Sequence, residues 1–257
     1  MLEKLYARQD RVNKMKRTVD VGWVMKAPKA GVIWDDPEPF RQVAPEMPDA
    51  KSVQKCPGSI DADSRLHVIK CPYDLHLRLG QGKDGRPQLL NVQGANSAIR
   101  PSVMSQIMLM HPQSEWRHPD RPLLQFVTPY VFVSDAPVWI NQLPPYQDYL
   151  KTRRPGLMIT GRFPIHIWPR PFMWAFEWHD TKEDLILRRG EPWFYVRFET
   201  EDPTQNIRLF EAERTPTLDE FMQSVLDVSN YTNRTYSLFR QAENRRPARL
   251  VERKKKP

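Results

Sequence analysis

The sequence predicts a mainly β protein: an antiparallel β-sandwich or jelly-roll-like body with an extended N-terminal arm and a C-terminal helix. Three observations support this class. The chain has 25 prolines against 10 glycines in 257 residues, and proline disfavours long helices because it fixes φ and lacks a backbone donor. Many short segments alternate apolar and polar residues, which is the period of half-buried strands. None is followed by a convincing crossover helix, so a parallel α/β sheet is disfavoured.

Residues 1–54 are predicted to form a basic segment and then a proline-rich extended arm. Trp23, Trp34 and Phe40 lie along this arm. Exposed aromatic side chains are costly, so we expect the arm to occupy a groove on the body or on a neighbouring subunit.

Residues 55–213 are predicted to form the β-sandwich domain. Proline and glycine separate roughly eight to ten strand-like segments, and the KDG tripeptide is a hairpin signal between two of them. The clearest of these segments are SRLHVIKCP, YDLHLRLG, PLLQFVTPYVFVSD, APVWINQLP, FMWAFEWH and EDLILRRGEPWFYVRFE. A further stretch, IRPSVMSQIMLMHP, fits either a short helix or a strand.

The segment from Gly161 to Glu199 contains four of the chain's eight tryptophans. Within it, Phe172, Trp174, Phe176 and Trp178 alternate with smaller or polar residues, so their rings should share one strand face. Each ring can bury about 150 Å² or more. We therefore expect these rings to fill the space between two sheets and to leave no reactive pocket.

Residues 214–257 are predicted to form a helical region and a basic tail. Thr217 can cap a helix, with Glu220 completing a capping box. Apolar residues then recur at helical spacing, which predicts a helix over Leu218–Val228. The stretch NRTYSLFRQAENRR is a candidate for a second helix.

The net charge is +8, and much of the positive charge lies in the two ends of the chain. Basic ends can bind nucleic acid, but solvated termini explain the same pattern and are favoured. No secretory signal pattern opens the chain and no stretch approaches ~18 consecutive apolar residues. We expect a cytoplasmic protein without a membrane partner.

Histidines and carboxylates suggest one possible metal site. His166, His179 and Glu177 would form a two-histidine, one-carboxylate triad if a barrel brought them together, and such triads hold iron in oxygenases. No His-x-Asp or His-x-Glu pair is present, so ordinary hydrogen-bonded histidines are favoured and no metal or other cofactor is expected. The cysteines, Cys56 and Cys71, lack the close spacing of a zinc site.

Arginines interleaved with tryptophans suggest a second kind of site. A cation–aromatic surface could bind bases, sugars or phosphate. The favoured alternative is a tryptophan core with arginines on the outer strand faces. The candidate binding residues are Arg162, Arg170, Trp168, Trp178 and Trp193.

Several segments together resemble a family of uncharacterised proteins of tailed phages and bacteria, known as a domain of unknown function. The similarity covers about residues 55–213 and rests on LLQFVTPYVFVSDAPVWINQLPP, GRFPIHIWPRPFMWAFEWH and LRRGEPWFYVRFE. Its characteristic positions here are Pro129, Tyr130, Gly161, Trp168, Phe172, Trp178, Gly190, Glu191 and Pro192. The resemblance implies a phage-encoded protein, inside the host cell or in the virion, and it carries no catalytic residues.

The leading prediction is a non-enzymatic interaction or assembly protein that associates with protein partners or with itself. The chain has no phosphate-binding loop, dinucleotide fingerprint or Gly-x-Ser-x-Gly elbow. Two alternatives stay open: a jelly-roll enzyme, either a metal-dependent oxygenase or a nucleotide-processing protein, and a nucleic-acid binder that uses the basic termini.

Overall fold

A computed structural model describes residues 18–26, 32–41, 52–231 and 234–255. The strands are β1 (Thr18–Met25), β2 (Glu38–Pro39), β3 (Leu66–Lys70), β4 (Leu75–Gln81), β5 (Pro87–Asn91), β6 (Met108–Met110), β7 (Leu123–Ser134), β8 (Val138–Leu143), β9 (Gly156–Met158), β10 (Gly161–Pro164), β11 (Pro171–Trp178), β12 (Leu185–Leu187), β13 (Pro192–Thr200) and β14 (Asn206–Glu211). The helices are α1 (Pro57–Ser64), α2 (Pro101–Ile107), α3 (Pro216–Val225) and α4 (Thr235–Arg245). Of the described residues, 38% lie in strands and 24% in helices, so the predicted mainly β class is confirmed.

The strands form three sheets. The first has the order β14-β1-β7-β11-β9, with β6 also paired to β7, and the second has the order β10-β8-β13-β3-β2. The third is a small sheet of β12, β4 and β5. The pairings are antiparallel except that of β1 with β14, which is parallel. Parallel neighbours need a long connection, and here most of the body lies between the two strands.

Part of the predicted N-terminal segment, residues 1–54, is a strand of the first sheet. Residues 18–25 form β1, which lies between β14 and β7 and hydrogen-bonds to both. Val21 and Trp23 of this strand are buried in the core. Its sequence alternates apolar Val19, Val21 and Trp23 with other residues, which is the period of a strand.

The described part of the proline-rich arm lies on the body of its own chain. The Trp34 ring stands 5.6 Å from the Tyr130 ring and 6.1 Å from the Trp193 ring, measured between centroids. The Phe40 ring is 5.5 Å from that of Tyr195. These contacts partly bury both rings on the body of the same chain, which is one of the two predicted places for the arm. The remaining residues of the predicted arm lie outside the described ranges.

The first two sheets meet through aromatic rings. Trp174 of β11 lies 5.5 Å from Trp193 of β13 between ring centroids, and Phe132 of β7 lies 5.6 Å from Phe198 of β13. All four side chains are fully buried. The predicted inward orientation of the alternating rings is therefore confirmed, because the pleat directs every second residue of β11 to the same side.

The C-terminal helices cover part of the outer face of the first sheet. Leu218, Phe221 and Val225 of α3 are buried against Val131 and Val133 of β7. The helix begins at Pro216, earlier than predicted, because Thr215 is the N-cap: its Oγ1 accepts a hydrogen bond from the Leu218 N–H at 3.2 Å.

Arg246 fastens the segment after α4 to the body. Its guanidinium donates to the carbonyls of His166 at 2.6 Å and Ser134 at 2.9 Å, and to the Asp135 carboxylate at 2.7 Å. The same carboxylate accepts the Leu250 N–H at 2.7 Å. These contacts hold residues 246–251 on the loop between β7 and β8.

The structure decides two local questions that the sequence left open or answered differently. The ambiguous stretch after Ile99 contains both forms, since α2 ends at Ile107 and β6 begins at the next residue. The segment around His166 is a turn instead of a strand, closed by hydrogen bonds from Ile167 N–H and Trp168 N–H to the Pro164 carbonyl. No helix in the described part of the chain is long and apolar enough to cross a bilayer.

Candidate interaction surface

The outer face of the first sheet is covered at one end only. Towards Val131 and Val133 of β7, α3 and the C-terminal segment bury it. Towards Leu123, where β7 begins, the outward side chains of β6, β7, β11 and β9 stay partly or largely exposed, except that of Glu177, which is buried. We call this uncovered part the open face, and its outward residues are Leu109, Leu123, Gln125, Val127, Leu157, Met173, Ala175 and Glu177.

Strand register places these residues in rows across the sheet. Gln125 of β7 is the cross-strand partner of Leu109 on β6 and of Ala175 on β11. In the next row, Glu177 is the partner of Leu157 on β9. Direct cross-strand partners point to the same side of a sheet. Leu109 is 56% exposed and Leu157 is 59% exposed. They lie on β6 and β9, the two outer strands of the order β6-β7-β11-β9, and the partly exposed Leu123 and Ala175 lie on the two strands between them.

A charged network occupies one end of the open face. The Glu177 carboxylate is almost fully buried, and its Oε1 lies 2.8 Å from His179 Nε2. Arg117 Nε and Arg121 Nη1 each approach this carboxylate to 3.6 Å. A buried carboxylate needs such partners, because an unpaired charge is costly to bury. The two arginines offset the negative charge of Glu177 and place cationic side chains, Arg117 and Arg121, at this edge of the open face.

A cleft opens at the other end, where the chain leaves the first sheet for the second. β9 pairs with β11 only at Phe176, Glu177 and Trp178, and β10 pairs with β8 of the second sheet. Before Phe176, β11 therefore pairs with β7 along one edge, and no described strand pairs with its other edge. This seam cleft has a volume of about 200 Å³ and is lined by Gln125, Gln142, Gly161, Phe163, Arg170 and Met173, among others.

A second cleft lies on the far side of Arg170. It has a volume of about 220 Å³ and is lined by residues that include Lys26, Trp34, Ile107, Val127, Arg170 and Leu226; we call it the Arg170 cleft. The Arg170 guanidinium carbon lies 4.7 Å from the centroid of the Trp168 ring. Burial lowers the pKa of this guanidinium from its usual value.

The structure brings some of the sequence-predicted site residues to this surface. Glu177 and His179 are in contact, and Arg170 rests on Trp168. The Trp168 ring is itself buried under the C-terminal helices, and its Nε1 donates to the Val225 carbonyl at 3.0 Å. The open face thus has a histidine–carboxylate pair at one end and a stacked cation at the other.

The other predicted residues lie elsewhere. His166 Nδ1 hydrogen-bonds the Val138 backbone. Trp178 and Trp193 are fully buried core residues. Arg162 lies over the Trp139 ring at 4.7 Å and pairs with a carboxylate of the second sheet. Among residues 18–26, 32–41, 52–231 and 234–255, no three His, Cys, Asp or Glu side chains are grouped so that they could hold a metal ion.

No protein-family model matches the chain, and no curated protein matches it. The resemblance to a phage and bacterial family therefore stays a prediction from the sequence.

Sequence reasoning missed several residues of this surface. Arg117 and Arg121 come from the loop before β7, and Lys26 from the end of β1, so only the tertiary fold brings them to the sheet. Leu109 and Leu157 lie on three-residue strands, which are too short to show a period. A detectable signal existed for β7, where Leu123, Gln125 and Val127 alternate with buried residues.

Proposed function

We propose that the protein is a non-enzymatic interaction protein that uses the open face to bind a partner protein. The single observation that carries this proposal is the pair of largely exposed leucines, Leu109 and Leu157, on a sheet face whose other end is already buried by helices. The two leucines stand on the outer strands of this face, with partly exposed apolar residues of β7 and β11 between them, and an exposed apolar patch of this kind marks a binding surface. We also propose that the two larger sheets form a β-sandwich; a jelly-roll connectivity stays a prediction.

The charge around the open face indicates the chemistry of the partner. Arg117 and Arg121 lie at one end, and Lys26 and Arg170 line the Arg170 cleft at the other. A partner with an apolar centre and acidic residues around it complements this pattern, and charge complementarity at a rim favours association and correct orientation. A second copy of this chain would bring the same cations together, so the proposal is an acidic partner.

Site-specific photocrosslinking in cells of the natural source tests the proposal. A photoreactive phenylalanine analogue replaces Leu109, Leu157 or, as the control, Tyr236 of α4, which is 85% exposed but lies away from the open face. We expect the two open-face positions to capture the same protein and position 236 to capture none. The purified partner should then bind the unaltered chain with an affinity that falls as salt is added, because salt screens rim charges.

Two further variants sharpen this experiment. Leu109→Asp should abolish the product formed from position 157, because both residues lie on one surface and a buried unpaired carboxylate is costly. Equal capture from position 236, or no product from either open-face position, would contradict the proposal. A product of twice the chain's mass would replace the acidic partner with self-association.

The remaining predictions concern origin and chemistry. Phage origin, the host cytoplasm and a place in a virion stay predictions from the sequence. The basic N-terminal residues that would bind nucleic acid lie outside the described ranges. The enzyme alternative now rests on the Glu177–His179 pair, because His166 lies in the turn after β10 and bonds the Val138 backbone.

A further inference from the structure

We propose that the Arg170 cleft binds a small organic carboxylate with an apolar body. This ligand site adjoins the open face, since Val127 and Met173 belong to both, but the leucines that carry partner binding, Leu109 and Leu157, do not line the cleft. The proposal rests on four features of the cleft: its cations, an unsatisfied donor, its apolar walls and its size.

The charged groups of the cleft are all cationic. Arg170 and Lys26 line it, and no acidic residue of the described chain does. Arg170 is partly buried, and its only hydrogen bond within the described residues is a long one of 3.4 Å from its own Nε to the Pro171 carbonyl. Neither cation has a carboxylate partner among the described residues. A buried guanidinium usually has an anionic partner, and here an anionic ligand could supply it.

A residue with an unsatisfied donor also lines this cleft, Trp34. The indole Nε1 of Trp34 is buried and has no hydrogen-bond acceptor within the described structure. Buried donors are nearly always satisfied in native proteins, so an unsatisfied one indicates a missing acceptor. The two oxygens of a carboxylate can accept from Arg170 and from a second donor at the same time.

The walls and the size of the cleft define the rest of the ligand. Ile107, Val127, Met173 and Leu226 supply apolar surface, which favours an aliphatic or aromatic body. The volume of about 220 Å³ is below the ~300–1,000 Å³ of typical drug-sized sites. A monoanionic carboxylate suits the site better than a phosphate dianion, because only one of the two cations, Arg170, is partly buried.

Calorimetric titration of the purified full chain with octanoate tests this proposal. Octan-1-ol and octyltrimethylammonium serve as neutral and cationic probes of the same chain length, and inorganic phosphate as an anion without an apolar body. We expect saturable binding of octanoate alone at low-millimolar concentration or below. The loss of a charge-assisted hydrogen bond should weaken octanoate by about tenfold or more in Arg170→Gln.

The controls separate the cleft from the open face. Arg162→Gln removes an arginine that also stacks on a tryptophan but lies on the second sheet, and it should leave octanoate binding unchanged. Leu109→Asp should abolish partner capture and not octanoate binding, so the two proposals fail independently. Lys26→Gln should weaken octanoate too, which keeps the test usable if Arg170→Gln fails to fold.

Three outcomes would contradict the proposal that the Arg170 cleft binds a carboxylate. The first is octanol binding as tightly as octanoate, which would indicate apolar adsorption only. The second is unchanged octanoate affinity in folded Arg170→Gln or Lys26→Gln. The third is the absence of any octanoate binding up to the solubility of the probe.

Discussion

Trp193→Ala should cost about 3–5 kcal/mol of unfolding free energy, the range for removing a large buried aromatic side chain. Trp193 is fully buried, and its ring contacts those of Trp34, Phe126 and Trp174 at centroid distances of 6.1, 5.9 and 5.5 Å. The substitution would therefore empty the space between the two sheets and below the arm. A folded domain has only about 5–15 kcal/mol in total, so urea unfolding should show a large loss.

Trp139→Ala is the matched control. Trp139 is only half-buried, on β8 of the second sheet, and its ring packs on Arg162 and against the His166 ring. We expect it to cost about 1 kcal/mol, mainly through the lost cation–aromatic contact. Trp193→Phe should fall between the two because it keeps one ring in the core. Equal losses for Trp193→Ala and Trp139→Ala would show that the rings between the sheets are not the core.

Acid should destabilise the protein through His67. This side chain is 8% exposed on β3 with its ring 5.5 Å from that of Phe198, and burial lowers its pKa from 6.5 to about 4. Between these values the unfolded chain binds a proton that the folded chain does not. His67 therefore has no effect on the free energy of unfolding above about pH 6.5 and lowers it as the pH falls from 6.5 towards 4. The loss amounts to about 3 kcal/mol at 1.36 kcal/mol per pKa unit.

Urea unfolding at a series of pH values between 7 and 4 measures this effect. His67→Gln should flatten the fall in unfolding free energy across that window, because glutamine does not titrate. His118→Gln changes an exposed histidine on the loop before β7 and should leave the slope as it is. A residual slope in His67→Gln is expected from His166, whose pKa burial also lowers. An unchanged slope in His67→Gln would contradict this account.

The sequence predicts the core well because the relevant signal is local. In β11, Phe172, Trp174, Phe176 and Trp178 all face inward, and the pleat of a single strand is enough to determine this. The end of the chain follows the same rule, since the apolar spacing of α3 predicts its buried stripe. The predicted cap, Thr217, is wrong by two residues: Thr217 has Glu220 three positions on, but the helix is capped by Thr215, with Pro216 as its first residue.

The sequence does not predict pairings between distant segments. β1 pairs with β14, whose first residue lies 188 positions after the first residue of β1 (206 − 18 = 188). Nothing in either segment specifies the other, because backbone pairing carries little side-chain information. The proline-rich residues after β1 indicate an extended segment but do not specify the surface that it packs on, whereas in the structure Trp23 and Trp34 both pack into the core of the body.

The candidate surface also combines contacts that the sequence can predict with contacts that it cannot. Glu177 and His179 are two residues apart on an extended chain, and so are Trp168 and Arg170, so each contact is within reach of a local pattern. His166 does not join Glu177 because it follows β10, which belongs to the second sheet. The open face itself depends on which end of the first sheet the C-terminal helices cover, and no local pattern encodes that choice.

Hydroxyl-radical footprinting of the unmodified protein, read residue by residue by mass spectrometry, tests the central claim most directly. The claim is that the tryptophans lie between the sheets while Leu109 and Leu157 face solvent. Each residue's labelling rate is compared with its rate in the urea-unfolded chain. We predict that Trp174 and Trp193 are almost fully protected, although indole is intrinsically more reactive than an aliphatic chain, and that Leu109 and Leu157 keep a large fraction of their unfolded rates. Fast labelling of Trp174 and Trp193, or full protection of both leucines, would contradict the account.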